Sequence, residues 1–98
     1  MNTELEIITP GEILKTEFMD PFALSANALA IRLRVPPNRI TDILHARRSI
    51  TADTALRLGQ YFDMQPEFWL NLQMQYELKV AQRALGADIE DQVLRKAA

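Results

Sequence analysis

The sequence predicts an all-helical protein of one domain, and three observations lead to that fold class. Apolar residues recur at helical spacing in five successive stretches, each bounded by residues that start or end helices. No stretch shows the alternation typical of a strand, and no repeat or low-complexity segment is present. A chain of 98 residues, 48% of them hydrophobic, can bury one core of four or five helices and is not expected to be disordered.

The first helix is predicted to begin after Thr9. The Thr9 hydroxyl can cap free backbone N–H groups, Pro10 suits a first helical turn, and Glu12 follows at capping-box spacing. The helix is expected to end at Asp20-Pro21, because a residue before proline avoids helical dihedrals. Residues 1–9 show no period and are expected to form a flexible N-terminal arm.

Two short helices are predicted next, joined by a tight turn. Ser25 begins the second helix, and Arg34-Val35-Pro36 breaks it. The third helix is expected to start at Pro36 or Pro37 and to end near His45-Ala46. The predicted inner positions are small or branched, which suits a close approach of two helices: Ala28, Leu29, Val35, Ile40 and Ile43.

The remaining chain is predicted to form a fourth helix capped by Thr51 and a long fifth helix opened by Pro66. The fifth helix is expected to run to about Leu85 and to stop at Gly86. A short sixth helix, from Asp88 to Lys96, would complete the chain. The domain boundaries that follow are residues 10–85 for the domain and 86–98 for a C-terminal tail that can be helical.

The charge of the chain is uneven, although the net charge is only −2. Residues 32–57 carry six basic and two acidic side chains, a local charge of +4. The rest of the chain carries five basic and eleven acidic side chains, a local charge of −6. One narrow face is therefore suited to meet phosphate while the remainder repels it, unless the arginines only solvate a helix surface.

A helix-turn-helix over about residues 25–46, with basic residues extending to position 48, is the candidate nucleic-acid-binding segment. Such a motif places its second helix in the major groove of double-stranded DNA, where polar side chains read base edges and phosphates. An ordinary helical hairpin with a polar exterior is the alternative, and a lone surface histidine is often uncommitted. The candidate DNA-binding residues are Ser25, Asn27, Pro37, Asn38, Arg39, Thr41, Asp42, His45, Arg47 and Arg48.

The fifth helix carries two apolar stripes, separated on one flank by Gln73 and Glu77. The first stripe consists of Trp69, Leu72, Tyr76 and Val80, and Trp69 is expected to be core. The second stripe consists of Leu70, Met74, Leu78, Ala81 and Leu85. A helix of a single domain needs only one apolar stripe, so the second stripe predicts a homodimer interface, unless the last segment folds back over it.

Catalytic, metal and membrane functions have no support in the sequence. The chain has no cysteine, no metal-ligand spacing and no Gly-rich phosphate loop, and Ser25 lacks a basic partner. No apolar run approaches 18 residues, and the N-terminus does not have the pattern of a secretory signal. The expectation is a cytoplasmic protein that is not an enzyme and takes no cofactor, metal or small-molecule substrate.

Five motifs in order give the chain a family resemblance over roughly residues 8–85. They are PGEIL at 10–14, LSANALA at 24–30, VPPNRI at 35–40, ITADTALRL at 50–58 and PEFWLNLQ at 66–73. Together they closely resemble the HigA antitoxin family, which includes virulence-associated protein I and belongs to the Xre or lambda-repressor-like group.

The resemblance implies a five-helix lambda-repressor-like fold and a homodimer that binds a palindromic operator and represses its own operon. It also implies a partner toxin of the HigB type, a ribosome-dependent mRNA endonuclease of RelE-like fold. The acidic residues 1–20 are a candidate surface for such a basic nuclease. A stand-alone Xre-type regulator without a toxin, or a helical interaction protein without DNA activity, are the alternatives.

Two positions depart from the family pattern. Many members have glycine where this chain has Arg34, before the valine of the turn, and where it has Ala46, after the third helix. Both positions are expected to require left-handed dihedrals, which cost a residue other than glycine about 1 kcal/mol. The resemblance therefore leaves open whether the turn is tilted or capped differently in this chain.

Overall fold

Five α-helices follow one another in the computed structural model, which describes residues 6–97. They are α1 (Pro10–Ile13), α2 (Ala26–Leu33), α3 (Pro37–Leu44), α4 (Ala52–Phe62) and α5 (Glu67–Gln92). No strand occurs in this range, which confirms the all-helical class. Residues 1–5 of the expected N-terminal arm lie outside the described residues, and residues 6–9 precede α1 without helical structure. Among residues 6–97, no helix combines the length and the hydrophobicity that a membrane span requires.

The three predicted N-caps are confirmed. The Thr9 hydroxyl accepts a hydrogen bond from the Glu12 amide at 3.1 Å, and the Ser25 hydroxyl accepts one from the Ala28 amide at 3.0 Å. The Thr51 hydroxyl accepts from the Thr54 amide at 3.5 Å. Each bond satisfies one of the amides that a helix start leaves without an internal partner, so these boundaries were readable from local sequence.

The first helical segment is less regular than predicted. The four residues of α1 continue into a π-helical segment, Leu14–Met19, and then into a 3₁₀ turn, Asp20–Phe22. The helical path therefore passes the expected stop at Asp20-Pro21. Proline is accommodated because it is the second residue of the 3₁₀ turn, where no backbone N–H is needed. The Thr16 hydroxyl also donates to the Glu12 carbonyl at 2.9 Å, a contact that competes with regular α-helical bonding.

The prediction that α5 stops at Gly86 is wrong. The helix runs through Gly86 to Gln92, and residues 88–92 are its last turns, so no separate sixth helix is present in the described residues. A Cβ at Gly86 would meet no atom within 4 Å, and the glycine has no left-handed backbone. A glycine within a helix costs only about 1 kcal/mol relative to alanine, and the neighbouring helix-forming residues offset this cost. Within residues 6–97, the chain after Gly86 does not fold back over the second stripe of α5.

The core lies where α1, α2, α3, α4 and the first half of α5 meet. Its largest buried apolar side chains are Leu14, Leu29, Ile40, Ile43, Leu58 and Trp69, so Trp69 is confirmed as core. Phe18 stands beside this core, and its ring centroid lies 4.7 Å from that of Trp69 and 5.2 Å from that of Phe62. These ring contacts join the first helical segment to α4 and α5.

Gly11 brings α1 against the end of α3 without an intervening side chain. A Cβ built on Gly11 would lie 2.2 Å from the Ile43 carbonyl oxygen and 2.8 Å from the Leu44 Cα. Both atoms belong to backbone and cannot swing aside. Glycine is therefore required here by close approach, although its own φ is not positive.

We predict that Gly11→Ala destabilises the domain by about 1–3 kcal/mol, because the added methyl forces α1 away from α3. Gly86→Ala is the matched control, since its methyl meets only open space and removes the glycine penalty of about 0.5–1 kcal/mol. Urea denaturation of the two variants measures both effects. Equal stability of the two variants would contradict the packing argument.

Candidate nucleic-acid interface

The α2–α3 pair has the layout of a helix-turn-helix. The eight residues of α2 and the eight of α3 are separated by Arg34, Val35 and Pro36. Leu29 and Ala30 of α2 and Ile40 and Ile43 of α3 are buried against the core. The opposite side of α3 is polar and accessible, so the third helix presents one side to the core and the other outward.

The turn between α2 and α3 is closed by an ordinary C-terminal cap, although it lacks glycine. Arg34 has φ 61°, its amide donates to the Ile31 carbonyl at 3.2 Å, and the Val35 amide donates to the Ala30 carbonyl at 3.0 Å. This pair of bonds is the Schellman arrangement. The left-handed backbone expected at Arg34 is confirmed, and the turn is not capped differently.

Ala46 closes α3 in the same way. It has φ 59°, its amide donates to the Ile43 carbonyl at 3.1 Å, and the Arg47 amide donates to the Asp42 carbonyl at 2.8 Å. Ala23 and Asp63, at the ends of the first helical segment and of α4, also have positive φ. The positive φ values at Ala23 and Asp63 were not predicted, because neither residue type by itself indicates a left-handed turn.

The predicted DNA-binding residues lie between the N-cap of α2 and the loop that follows α3. The exposed members are Ser25, Asn27, Pro37, Asn38, His45, Arg47 and Arg48, and the half-buried ones are Arg39, Thr41 and Asp42. We call these ten residues the helix-turn-helix face. Two hydroxyls are partly committed: Ser25 caps α2, and Thr41 donates to the Pro37 or Asn38 carbonyl at 3.3–3.4 Å.

Asp42 holds the two arginines that follow α3. Its Oδ1 accepts from Nε and Nη2 of Arg47 at 3.3 and 3.2 Å, and its Oδ2 lies 3.7 Å from Nη2 of Arg48. A contact of Asp42 with a base edge would have to compete with these pairs. In this geometry Asp42 orients cations at the C-terminal end of α3. His45 joins the group, because its Nδ1 lies 3.4 Å from Nη2 of Arg47.

Arg39 at the start of α3 is held by α4. Its Nη1 donates to Oδ1 of Asp53 at 3.2 Å, and the same oxygen accepts from Nε of Arg57. Arg57 extends further and donates from Nη1 to the Leu33 carbonyl at 2.9 Å, in the last turn of α2. The hydrogen bond from Arg57 is the main cause that lowers the pKa of Asp53 below its usual value. This network thus connects α2, α3 and α4.

The loop after α3 is anchored from α5. Gln73 is one of two buried polar residues in the described chain, and its Oε1 accepts from the Ile50 amide at 2.9 Å. Its Nε2 donates to Glu77 at 2.8 Å. The bond fixes the end of the loop that carries Arg47 and Arg48, because a buried amide without a partner would cost about 1–3 kcal/mol.

The chain is similar to known proteins both in sequence and in fold. No protein-family model matches the chain. Virulence-associated protein I of Dichelobacter nodosus is 51% identical over 80 residues, which cover 82% of this chain and 74% of that protein. An addiction module antidote protein of the HigA family from Coxiella burnetii is 50% identical, with a TM-score of 0.89, over 94% of this chain and all of that one.

The chain belongs to the HigA antitoxin family. A further solved structure, of Pseudomonas aeruginosa antitoxin HigA with the higBA promoter, is 43% identical, with a TM-score of 0.91, over 94% of this chain and all of that one. The resemblance expected from the five motifs is confirmed. HigA antitoxins are not enzymes, and the same holds for this member of the family.

Asp53, Arg57 and Gln73 were not identified from sequence as parts of this HigA surface. By sequence alone, Asp53 has the position of a first-turn residue that complements the helix dipole, and Gln73 is a polar spacer between the two stripes. Their partners lie 14, 24 and 23 residues away along the chain, for the Arg39–Asp53, Leu33–Arg57 and Ile50–Gln73 bonds. The only sequence signal was the i, i+4 spacing of Asp53 and Arg57.

The second stripe of α5 remains uncovered in the single chain. Met74 is 60% and Leu78 is 56% exposed, and Leu70 and Leu85 are also exposed. Together with Ile50 and the spacers Gln73 and Glu77, part of the stripe borders an open groove of about 520 Å³. The first stripe behaves differently: Trp69 is fully buried, Leu72 and Tyr76 are half-buried, and Val80 is exposed beyond the core.

Proposed function

We propose that this HigA-family protein is the antitoxin of a type II toxin–antitoxin module and represses its own operon by binding operator DNA. The proposal rests above all on the solved Pseudomonas aeruginosa HigA with the higBA promoter, which matches this chain at a TM-score of 0.91. The outward polar side of α3 supports the same conclusion from this chain's own geometry. Such a protein acts where the operator lies, so we also propose a cytoplasmic location.

In this proposal, the helix-turn-helix face meets double-stranded DNA. Asn38 and Arg39, near the N-terminus of α3, approach base edges, since amide and guanidinium groups match purine acceptors and donors. Arg47 and Arg48, beyond the end of α3, meet phosphate. Ser25 and Asn27 lie in the first turn of α2, where free amides and the helix dipole favour a phosphate oxygen.

We also propose that the operator-binding form is a homodimer joined through the second stripe of α5. Leu70, Met74, Leu78, Ala81 and Leu85 are the proposed contacts. An apolar stripe of this length on a soluble helix is a surface that association would remove from water. A two-fold dimer would present two α3 helices to half-sites about 34 Å apart, which fits a palindromic operator.

The proposed toxin is a HigB-type mRNA endonuclease that is neutralised by protein contact. A nuclease that binds RNA requires basic surface, and residues 1–20 carry five acidic side chains against one lysine. Among the described ones, Glu6, Glu12, Glu17 and Asp20 are exposed. Charge complementarity therefore favours the acidic residues 1–20 as the toxin-facing surface.

Operator binding tests the DNA part of the proposal. With a duplex from upstream of the chain's own gene, Arg39→Ala is expected to weaken binding by about 1–3 kcal/mol through a lost base contact. Arg48→Ala is expected to weaken binding to every sequence and to flatten its salt dependence. Fluorescence anisotropy at several salt concentrations measures both. Lys96→Ala removes the same charge outside the basic window and should change little; equal effects of all three variants would argue against the proposed face.

Dimerisation is tested with Leu78→Asp, which places a charge in the middle of the exposed stripe. We expect this variant to sediment as a monomer and to lose at least about tenfold in operator affinity, because half-sites are then bound singly. Leu56→Asp, at a leucine 62% exposed on α4, is the matched control and should remain a dimer. A Leu78→Asp protein that stays dimeric in analytical ultracentrifugation would place the interface elsewhere.

Toxin binding is tested by co-expression with the product of the neighbouring reading frame. Deleting residues 1–20 would remove the buried Leu14 and Met19 and unfold the domain, so charge reversal is the better perturbation. We expect the double substitution Glu6→Lys with Glu17→Lys to lower capture of the toxin by about fivefold or more.

The matched control for that experiment is Asp88→Lys with Glu90→Lys, which reverses two exposed acids near the end of α5. Equal capture by both double variants would reject residues 1–20 as the toxin surface. No capture by the unaltered protein would favour a stand-alone regulator over an antitoxin.

A further inference from the structure

We infer that Asp53 of α4 is a positioning residue for DNA recognition, because it fixes the guanidinium of Arg39 in the orientation that reads the operator. The inference rests on the proposed DNA-binding function and adds a residue outside the helix-turn-helix to it. Asp53 itself lies one helix away and makes no proposed contact with DNA. Its influence passes through Arg39.

The geometry of Arg39 supports this positioning role. Its side chain is 27% exposed, and Nη1 is bonded to Asp53 at 3.2 Å. A guanidinium has five N–H donors in a rigid plane, so one bond to Asp53 restrains the group and leaves the remaining donors for a base or phosphate. The contact therefore orients the group without using up its binding capacity.

Asp53 is itself held in place by Arg57. The same Oδ1 accepts from Nε of Arg57, whose Nη1 is bonded to the Leu33 carbonyl at 2.9 Å. Leu33 is the last residue of α2, directly before the left-handed Arg34. The carboxylate is thus fixed relative to the turn of the helix-turn-helix, so it can serve as a reference point for Arg39.

The ion pairs of Asp53 contribute to DNA binding more than to folding stability. Asp53 and Arg57 are largely exposed, and exposed ion pairs add little to folding stability. A free arginine, in contrast, loses considerable rotamer freedom when it is fixed on a ligand. Fixing Arg39 before binding removes part of that loss from the binding step, so the expected benefit is in affinity for the correct DNA.

Electrostatics alone predict the opposite sign. Asp53 is a negative charge in the basic window, and its removal should strengthen binding to any DNA through reduced repulsion. Positioning predicts instead that its removal weakens operator binding relative to unrelated DNA. The ratio of the two affinities therefore separates the two roles.

The test uses Asp53→Asn, Arg39→Ala and the double variant in the full chain. Anisotropy titrations with the operator duplex and with a scrambled duplex of equal length give the specificity ratio of each protein. We expect Asp53→Asn to lower that ratio about fivefold, and to change it less than about twofold when Arg39 is already alanine. Asp63→Asn, at the end of the same helix, is the control and should leave the ratio unchanged.

The possible outcomes are distinguishable. An unchanged ratio for Asp53→Asn, or an equal drop in the Arg39→Ala background, overturns the positioning role while operator binding by the unaltered protein stands. If the unaltered protein does not prefer its operator, the proposed DNA function itself fails. Unfolding midpoints measured on the same samples show whether a drop reflects loss of fold, which would lower binding to both duplexes alike.

Discussion

The contact between Gly11 and the Ile43 carbonyl determines where the third helix lies. With no side chain between them, α1 rests directly on the last turn of α3. The buried Ile40 and Ile43 pack the other side of α3 into the core. Well-packed interiors tolerate little displacement, so a shift of α1 would be passed to α3 as a rotation or translation. The direction of the polar side of α3 is therefore a property of the core as much as of the helix that carries it.

Hydrogen bonds and ion pairs then fix the start of α3 and the loop after it, which the packing of the core does not hold. The start of α3 is connected through Arg39 and Asp53 to α4, and the loop after α3 is connected through Ile50 to Gln73 of α5. The exposed ion pairs of Asp53 contribute little stability, whereas the buried side-chain amide of Gln73 is needed to satisfy the backbone N–H of Ile50. Stability and orientation are thus divided between two sets of interactions, which allows α3 to change its outer residues without unfolding the domain.

Sequence reasoning succeeded at the helix starts, where the deciding interaction is local. Thr9, Ser25 and Thr51 cap the helices that follow them, and such bonds span only three residues. It failed at Gly86, because a glycine that would end a helix elsewhere costs little in an exposed helix whose neighbours continue it. It also missed the partner of Asp53, since fourteen residues of chain separate the carboxylate from Arg39 and only the packing of α4 against α2 and α3 brings them together.

Among residues 6–97, four residues other than glycine have left-handed backbones, at the ends of the first helical segment, α2, α3 and α4. Each costs about 1 kcal/mol in the native state, although glycine in the same place would give the denatured chain more freedom to lose. The cost is met only while the helices on both sides of a turn are packed, because the turn alone supplies two or three hydrogen bonds. An excised α2–α3 hairpin would therefore relax at Arg34 and lose its shape. The helix-turn-helix exists as a cooperative property of the whole domain, and its folding and its competence to bind arise in a single transition.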